Sequence, residues 1–442
     1  MQFALQHLYI NRKTNMKSLI AISIVTALSA GSAFANESIN ESSTNVDVYN
    51  THDFFLKKGN RVKLQFPIEQ SKFAWQNLSR FYPTAQIERD GPVYQFPYQI
   101  DQNIGEISAT VHGESKTLNE HLDSYPVDAF LVVKSGEVVF ERYNTMGKTD
   151  KHNWFSNSKI TVGIELAKLV NEGQVNLSDP ISKYIPELKG SDWDTVSVSD
   201  TANMATGLNA TEHDEPEADS RINPEQPWFK WAVSIGVFEG EGNQSPLEVL
   251  AEMKRRAPGG QTFEYNSINT FVLARLIENV RNLPMNEIVS RYMWQKMGAN
   301  NDAYTVVSPQ GGYPLMFFSM NTTIEDMTKF GMLLTPSATK LGNGGVSKEV
   351  ITLIQDSGNP EAYGGGYVGK MMENSFSNDT NIKNGYQFDA IFEDGDLFKA
   401  GVGGQGVYIS PDKDLVISFF STSNGKNQEE TYAREIAKYF SR

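Results

Sequence analysis

Two apolar runs near residue 130 predict a pair of β-strands. Residues 127–143 read VDAFLVVKSGEVVFERY, with Ser135-Gly136 between the runs. A short polar dipeptide containing glycine between two such runs is a hairpin signal. The pattern therefore predicts two antiparallel strands that turn at Ser135-Gly136.

The stretch that follows has helical periodicity. From Ser156 onward the apolar residues fall at helical spacing, and the pattern stops at Gly173. Further helical patterns occur in INTFVLARLIENV, in IEDMTKFGMLL and in the C-terminal QEETYAREIAKYF. Residues 174–390 are thus predicted to be mixed, with helices separated by loops.

Strand patterns return at the end of the chain. FKAGVGGQGVYIS is followed by a turn at Pro411-Asp412 and then by DLVISFFSTS. Strands at both ends with helices between them indicate an α+β fold. We expect an antiparallel sheet flanked by helices, whose first and last strands meet, with an inserted mostly helical region.

The N-terminus has the pattern of an export signal. Lys17 precedes the apolar run LIAISIVTALSA, which ends in the small-residue site Ala33-Phe34-Ala35. We expect a signal peptide over residues 1–35, translation from Met16 and cleavage after Ala35. The run is too short for a transmembrane anchor, which needs about 20 apolar residues. A periplasmic or secreted protein is predicted.

Proline and aromatic residues set the next segment apart from the rest. Residues 36–100 contain FPIEQSKFAWQNLSRFYPT and GPVYQFPYQ, which suggest an N-terminal arm packed on a main domain. The main domain is then residues 101–442.

Composition narrows the chemistry. The 442 residues carry a formal net charge of -14, which disfavours a nucleic-acid partner because phosphate binding needs a basic surface. The chain has no cysteine, so thiol nucleophiles, disulfides and cysteine zinc sites are excluded. Its histidines show no metal-ligand spacing. Neither a metal nor another cofactor is predicted, and catalysis would depend on hydroxyl, amine, carboxylate or imidazole groups.

Four Ser-x-x-Lys strings are candidates for such chemistry. They begin at Ser156, Ser337, Ser410 and Ser423. Only the first opens a long helical pattern, on which residues three apart share a face, so that Lys159 can reach Ser156. Free N–H groups at a helix start also favour a developing oxyanion. Serine is equally a common helix cap, and the pattern alone leaves both interpretations open.

Two further segments give the pattern a family context. FEYNSINTFVLARLIE places Tyr265 at the start of a helix, and FKAGVGGQGVYIS carries Lys399-Ala400-Gly401 along a strand. With these three segments in order, the sequence resembles the serine β-lactamase and penicillin-binding-protein superfamily. The resemblance is to the class C-like branch, with its esterases, D-aminopeptidases and 6-aminohexanoate-dimer hydrolases. It covers most of residues 100–442 and implies a β-lactamase/transpeptidase-like fold.

The resemblance implies a catalytic role for each motif. Ser156 would form an acyl-enzyme that water hydrolyses, and Lys159 would accept the serine proton with a pKa lowered toward roughly 7 to 8. Tyr265 would relay the proton to the leaving group. The backbone N–H groups of Ser156 and Val402 would form the oxyanion hole. The implied substrate-binding residues are Ser267, Asn269, Lys399, Gly401, Gly403, Gly404 and Gln405.

Two departures from the family pattern bear on the substrate. Ala400 stands where β-lactamases and D,D-peptidases carry a hydroxyl that helps hold a substrate carboxylate, and Ser267 stands where class C enzymes have asparagine. Both favour an esterase or amidase, so that, together with the export signal, we expect an exported serine hydrolase that acts on carboxylic esters or linear amides. A penicillin-binding D,D-peptidase or β-lactamase acting on peptidoglycan-like or β-lactam substrates, and a non-catalytic binding protein on the same fold, are the alternatives.

An acidic segment has no role in these motifs. It runs from Glu212 to Glu225 and is followed by Trp228 and Trp231. A solvated surface loop is one interpretation. The other is a wall of the cleft that attracts a cationic or amine-bearing substrate.

Overall fold

A seven-stranded antiparallel sheet forms the centre of the protein. The structure is a computed structural model and describes residues 48–213, 223–342, 344–423 and 427–441. The predicted signal peptide and its cleavage site therefore lie outside the described residues.

Thirteen strands are present in the described part of the chain. They are β1 (Thr84–Ile87), β2 (Ser108–Val111), β3 (Glu114–Thr117), β4 (Val127–Lys134), β5 (Glu137–Tyr143), β6 (His152–Asn153), β7 (Ala303–Val306), β8 (Asn321–Thr322), β9 (Lys383–Gly385), β10 (Phe388–Ile391), β11 (Leu397–Gly401), β12 (Gln405–Ser410) and β13 (Leu415–Ser421). The large sheet has the order β5-β4-β13-β12-β11-β10-β9, beside a four-stranded sheet β1-β7-β8-β6 and the pair β2-β3.

The α-helices of the described residues lie mostly between β5 and β9. They are α1 (Val48–Leu56), α2 (Ser71–Gln76), α3 (Leu118–Ser124), α4 (Lys159–Asn171), α5 (Val198–Ala202), α6 (Pro227–Ser234), α7 (Pro246–Ala251), α8 (Ser267–Arg281), α9 (Met285–Tyr292), α10 (Ile324–Met332), α11 (Lys348–Gln355), α12 (Pro360–Tyr363), α13 (Tyr367–Ser375) and α14 (Glu429–Tyr439). None of these is long and apolar enough to cross a membrane.

The predicted meeting of the first and last strands of the sheet is confirmed. β13 pairs with β4, with Ile417 opposite Val132. Alternate residues of β4 enter two separate apolar clusters, Leu131 in one and Phe130 in the other. Both faces of the sheet are thus covered, which explains why β4 and β13 are apolar almost throughout. The α+β prediction is confirmed.

The predicted hairpin between β4 and β5 is also present. Ser135 and Gly136 have φ values of 51° and 76°. Positive φ at both turn residues matches the twist of the flanking strands, which explains the use of glycine there.

Several short strands escaped the sequence analysis. β9 and β10 lie at the end of the segment predicted to be mixed helices and loops. β6, β7 and β8 belong to the four-stranded sheet that also contains β1 of the N-terminal arm. Each has at most four residues. Such segments are too short for a periodicity to appear, and their pairing depends on distant partners.

The described part of the N-terminal arm, residues 48–100, packs on the rest of the chain. β1 pairs with β7, with Thr84 opposite Val306. Phe55 and Trp75 belong to the same apolar cluster as Leu131 of the central sheet. The arm therefore shares a core with the main body.

Candidate active site

Ser156 lies in a tight turn rather than at the first position of an α-helix. Residues Phe155–Ser158 form a 3-10 turn, and α4 begins at Lys159 with Ser158 as its N-cap residue. No side-chain capping bond is made there. The capping interpretation of Ser156 is therefore wrong, and its side chain is available to the neighbouring lysine.

The residue before the serine has a strained backbone. Phe155 has φ 46°, in the left-handed region that costs an aromatic residue on the order of 1–3 kcal/mol. Neighbouring contacts hold the turn: Phe155 N donates to Asn153 Oδ1 at 3.3 Å, and Met320 N donates to Ser158 Oγ at 3.0 Å. Such strain is maintained at functional sites by surrounding structure.

Lys159 is placed to accept the serine proton. Its Nζ lies 3.0 Å from Ser156 Oγ and donates to the carbonyl oxygen of Phe317 at 2.7 Å. Burial lowers the pKa of Lys159 to about 7; the Glu212 carboxylate opposes this shift, and the positive charge of Lys399 adds to it. A substantial fraction of the amine is therefore neutral near pH 7, as a general base requires.

Tyr265 completes the contact set around the serine. It precedes α8, whose N-cap Asn266 accepts a bond from Ile268 N. Its hydroxyl accepts from Lys399 Nζ at 3.2 Å, and the centre of its ring lies 5.2 Å from Lys159 Nζ. Burial and the Asp389 and Glu212 carboxylates raise the pKa of Tyr265 well above its usual value. Tyr265 is therefore a neutral phenol near pH 7, which suits a proton donor.

Lys399 on β11 is tied to an acid on the next strand. Its Nζ lies 2.6 Å from Asp389 Oδ1, and Ala400 N donates to Asp389 Oδ2 at 3.0 Å. Burial lowers the pKa of Lys399, and Asp389 opposes that shift. The predicted Lys-Ala-Gly strand is therefore fixed to β10 by one carboxylate that uses both its oxygens.

The end of β11 contacts the turn that carries Ser156. A Cβ on Gly401 would lie 2.6 Å from Trp154 O and 3.1 Å from Phe155 Cβ. Glycine thus permits the close approach of the strand to the residues just before Ser156. Val402 follows directly, with a side chain that is 46% exposed. The segments that carry the two predicted oxyanion donors are neighbours.

The remaining predicted residues of the tyrosine motif are buried. Ser267 N donates to Glu212 Oε1 at 2.6 Å. Asn269 lies in the first turn of α8, and among the described residues its amide oxygen and nitrogen have no hydrogen-bond partner. Their roles in substrate binding stay predictions.

The glycine-rich segment after Val402 packs against other parts of the chain. Gly403 packs against Trp75, and Gly404 lies against Ser421 and Ser423. Gln405 is 1% exposed, and its Nε2 donates to Ser421 O at 2.6 Å. The contacts of Gln405 favour a structural role over the predicted contact with substrate.

Two carboxylates of the site were not predicted as site residues. Glu212 begins the acidic segment, for which a surface loop and a wall of the cleft are both open interpretations; it is 8% exposed, and its charge acts on Lys159, Tyr265 and Lys399. Asp389 belongs to no motif. It could have been recognised in the sequence as the one acidic residue of an otherwise apolar strand, Phe388–Ile391. A carboxylate buried in such a strand needs a charged or hydrogen-bonding partner.

The acidic segment is described only at its ends, because residues 214–222 lie outside the described part of the chain. Trp228 and Trp231 are buried. Trp231 packs on Phe317, with ring centroids 5.2 Å apart. It therefore supports the residue whose carbonyl oxygen accepts from Lys159.

The other Ser-x-x-Lys strings lack this geometry. Ser337 Oγ donates to Asp414 Oδ2 while Lys340 Nζ donates to Ser135 O. Lys413, three residues after Ser410, pairs with Asp396. The string at Ser423 extends to Lys426, which lies outside the described residues. In the two other strings that the structure describes in full, the lysine therefore bonds to a group other than the serine.

Comparisons with known proteins identify the family of the chain. A family model described as Beta-lactamase matches residues 115–439. A 6-aminohexanoate-dimer hydrolase of Paenarthrobacter ureafaciens is 26% identical over 78% of this chain and 84% of its own length. These matches confirm the predicted superfamily and its class C-like hydrolase relatives.

Solved structures share the fold. One from Bacillus anthracis, provisionally named a 6-aminohexanoate-dimer hydrolase, has a TM-score of 0.69 at 23% identity and covers 90% of this chain and 97% of its own. EstCE1, a hydrolase with promiscuous acyltransferase activity, has a TM-score of 0.53 at 15% identity over 73% of this chain and 96% of its own. A class C β-lactamase mutant has a TM-score of 0.52 at 13% identity over 73% and 94%.

Proposed function

Because this chain belongs to the Beta-lactamase family, we propose that it is a serine hydrolase that forms an acyl-enzyme on Ser156. Its substrates are carboxylic esters or linear amides. The observation that carries the proposal is the pair of Ser156 and Lys159, in which a buried amine with a pKa of about 7 lies 3.0 Å from the hydroxyl. A neutral amine at that distance can take the hydroxyl proton during attack.

The proposed reaction assigns one task to each group. Ser156 Oγ bonds to the substrate carbonyl carbon as its proton passes to Lys159. The bond to the leaving alcohol or amine then breaks, and Tyr265 gives its proton to that group while Lys159 replaces it. Water then attacks the carbonyl carbon of the acyl-enzyme ester as its proton passes to Lys159. The bond to Ser156 Oγ breaks, Tyr265 protonates that oxygen while Lys159 returns a proton to Tyr265, and the free acid and Ser156 result. The backbone N–H groups of Ser156 and Val402 stabilise the oxyanion in both halves.

The surroundings of Lys399 support the choice of substrate class. Its charge faces Asp389 at 2.6 Å, and Ala400 has no hydroxyl to offer. Glu212 adds a second negative charge to the site. A substrate carboxylate would meet one paired ammonium and two carboxylates, which disfavours β-lactams and peptidoglycan-like stems. Neutral or amine-bearing esters and amides avoid this repulsion.

The non-catalytic alternative is disfavoured by the same contacts. The buried lysines Lys72 and Lys399 each face a carboxylate, whereas Lys159 bonds to the Ser156 hydroxyl and a backbone carbonyl. Burying an amine without a carboxylate at bonding distance is costly, and a binding protein gains nothing from it. We further propose that the protein is exported to the periplasm or secreted, on the basis of the signal pattern that ends at Ala35.

Turnover on a substrate panel tests the proposal. Wild-type protein should hydrolyse p-nitrophenyl esters of short acids. Ser156→Ala should lower the rate by at least about 1000-fold. Ser337→Ala is the matched control, because Ser337 starts another Ser-x-x-Lys string whose lysine bonds elsewhere. Hydrolysis of nitrocefin faster than of every ester would favour the β-lactamase alternative instead.

A further inference from the structure

Trp75 of the N-terminal arm packs against the turn that carries Ser156. Trp75 on α2 is 0% exposed, and its Nε1 donates to Leu64 O at 2.9 Å. The arm precedes residues 115–439, which match the family model. Trp75 therefore contributes from outside the segment that defines the family.

One side of Trp75 faces the residue before the nucleophile. The ring centroids of Trp75 and Phe155 are 4.6 Å apart, and the angle between the ring planes is 74°. Phe155 has φ 46°, so its conformation depends on neighbours that hold it. Because the peptide N–H of Ser156 follows Phe155, the Phe155 backbone fixes the direction of that N–H group.

Trp75 also contacts the residue after Val402. A Cβ on Gly403 would lie 2.6 Å from Cη2 of Trp75, so backbone and indole are in close contact. Gly403 has φ 92°, which side chains rarely adopt. The same indole therefore abuts both segments that carry a predicted oxyanion donor.

A buried ion pair fastens α2 in place. Lys72, on the same helix, is 4% exposed, and its Nζ lies 3.6 Å from Asp128 Oδ1 on β4. Asp128 Oδ2 accepts from Thr422 Oγ1 at 2.7 Å and lies 3.6 Å from His152 Nε2. These contacts give Trp75 a fixed position relative to the sheet.

We propose that Trp75 is a positioning residue for the oxyanion hole, and that the arm thereby completes the active site. The indole sets the separation between the N–H groups of Ser156 and Val402. This inference rests on the proposed function of Ser156. Trp75 itself touches neither substrate nor the reacting atoms.

The expected defect is specific to the transition state. An oxyanion donor contributes about 100-fold or more to the rate, and partial misplacement of two donors should cost about 10- to 100-fold in kcat. KM should change little, because the ground-state carbonyl uses the hole weakly. The pH midpoint set by Lys159 should not move, since Trp75 is neutral.

The positioning role of Trp75 is tested with Trp75→Leu and the milder Trp75→Phe. The control variants are Trp193→Leu and Trp193→Phe. Trp193 is a matched control: it is 0% exposed, and its Nε1 donates to a backbone carbonyl, Leu250 O, at 2.8 Å. Each variant is assayed for kcat and KM on an ester and on its thionoester, in which sulfur replaces the carbonyl oxygen. Oxyanion holes fit sulfur poorly, so an intact hole gives a large oxygen-to-sulfur rate ratio.

The Trp75 variants should lose kcat and have an oxygen-to-sulfur ratio closer to one, whereas the Trp193 variants should lose thermal stability alone. A Trp75→Phe ratio within twofold of the Trp193→Phe ratio would overturn the inference, as would a shifted pH midpoint. If Trp75→Leu does not fold, Trp75→Phe supplies the test. Turnover that survives Ser156→Ala would count against the proposed function instead. If no ester is turned over, the rate of Ser156 labelling by a fluorophosphonate replaces kcat, with the same ranking of variants expected.

Discussion

Lys159 Nζ lies 3.0 Å from Ser156 Oγ and 2.7 Å from the carbonyl oxygen of Phe317. A neutral amine has two N–H donors and one lone pair. When one N–H bonds to Phe317, the lone pair can point at the serine hydroxyl. The carbonyl thus orients the base, and burial keeps the base partly unprotonated.

The pH profile should report this lysine. Its pKa of about 7 predicts that kcat/KM for a neutral ester rises as pH increases through about 7 and then levels off. Steady-state rates between pH 5 and pH 9 measure the midpoint. A flat profile across this range would mean that Lys159 is not the base.

Glu212→Gln provides a signed control for that midpoint. The Glu212 carboxylate raises the pKa of Lys159, so removing its charge should move the midpoint to lower pH. Glutamine keeps an oxygen that can accept from Ser267 N. A midpoint that moves to higher pH would show that the Glu212 carboxylate does not raise the pKa of Lys159.

Lys159→Met should abolish activity while stabilising the fold at low pH. Below about pH 7 the amine is protonated in both folded and unfolded states, and the folded state bears the full cost of burying it. Between pH 7 and 10.5 the folded state releases its proton first, and the cost shrinks as pH rises. We expect the free energy of unfolding to rise by about 2 kcal/mol at pH 6.

Denaturant titration of wild type and Lys159→Met at pH 6 and pH 9 measures this effect. The difference between the two proteins should be larger at pH 6. A variant that is less stable than wild type at both values would show that the lysine contacts outweigh its burial.

Tyr265→Phe should slow the reaction most for poor leaving groups. The phenol is protonated near pH 7 and donates to the departing atom, which an alkyl amine needs more than p-nitrophenol does. The expected losses are about 100-fold for an anilide or alkyl amide and about 10-fold for a p-nitrophenyl ester. Equal losses for both substrates would assign Tyr265 a role in positioning Ser156.

Ala400→Thr should improve the handling of carboxylate-bearing substrates. The added hydroxyl restores a donor beside Lys399, although Asp389 remains within 2.6 Å of that lysine. A gain of about 5- to 10-fold in nitrocefin kcat/KM relative to a neutral ester corresponds to one added hydrogen bond. No relative gain would show that Asp389 alone sets the preference, and Ala400→Ser is the matched smaller variant.

The sequence predicts the fold through its strongest patterns. The hairpin at Ser135-Gly136, the helix that contains Asn269 and the pairing of β13 with β4 each follow from local periodicity or from the order of elements. The short strands β9 and β10 depend on neighbours distant in sequence, and no local pattern marks them.

The site divides in the same way. Ser156, Lys159 and Tyr265 are identified by motif, and in the structure Lys159 lies beside both Ser156 and the Tyr265 ring. Glu212 and Asp389 have no motif, since a carboxylate can stabilise a buried lysine from any strand or loop that reaches it. The strained φ of Phe155 is likewise set by tertiary contacts rather than by its residue type.

The central claim is that Ser156 carries the acyl group. The purified protein is treated with a fluorophosphonate probe, and the labelled peptide is located by mass spectrometry in wild type and in Ser156→Ala. We expect one adduct on Ser156, formed faster as pH rises through about 7, and none on Ser156→Ala. An adduct on a different serine, or unchanged labelling of Ser156→Ala, would contradict the claim.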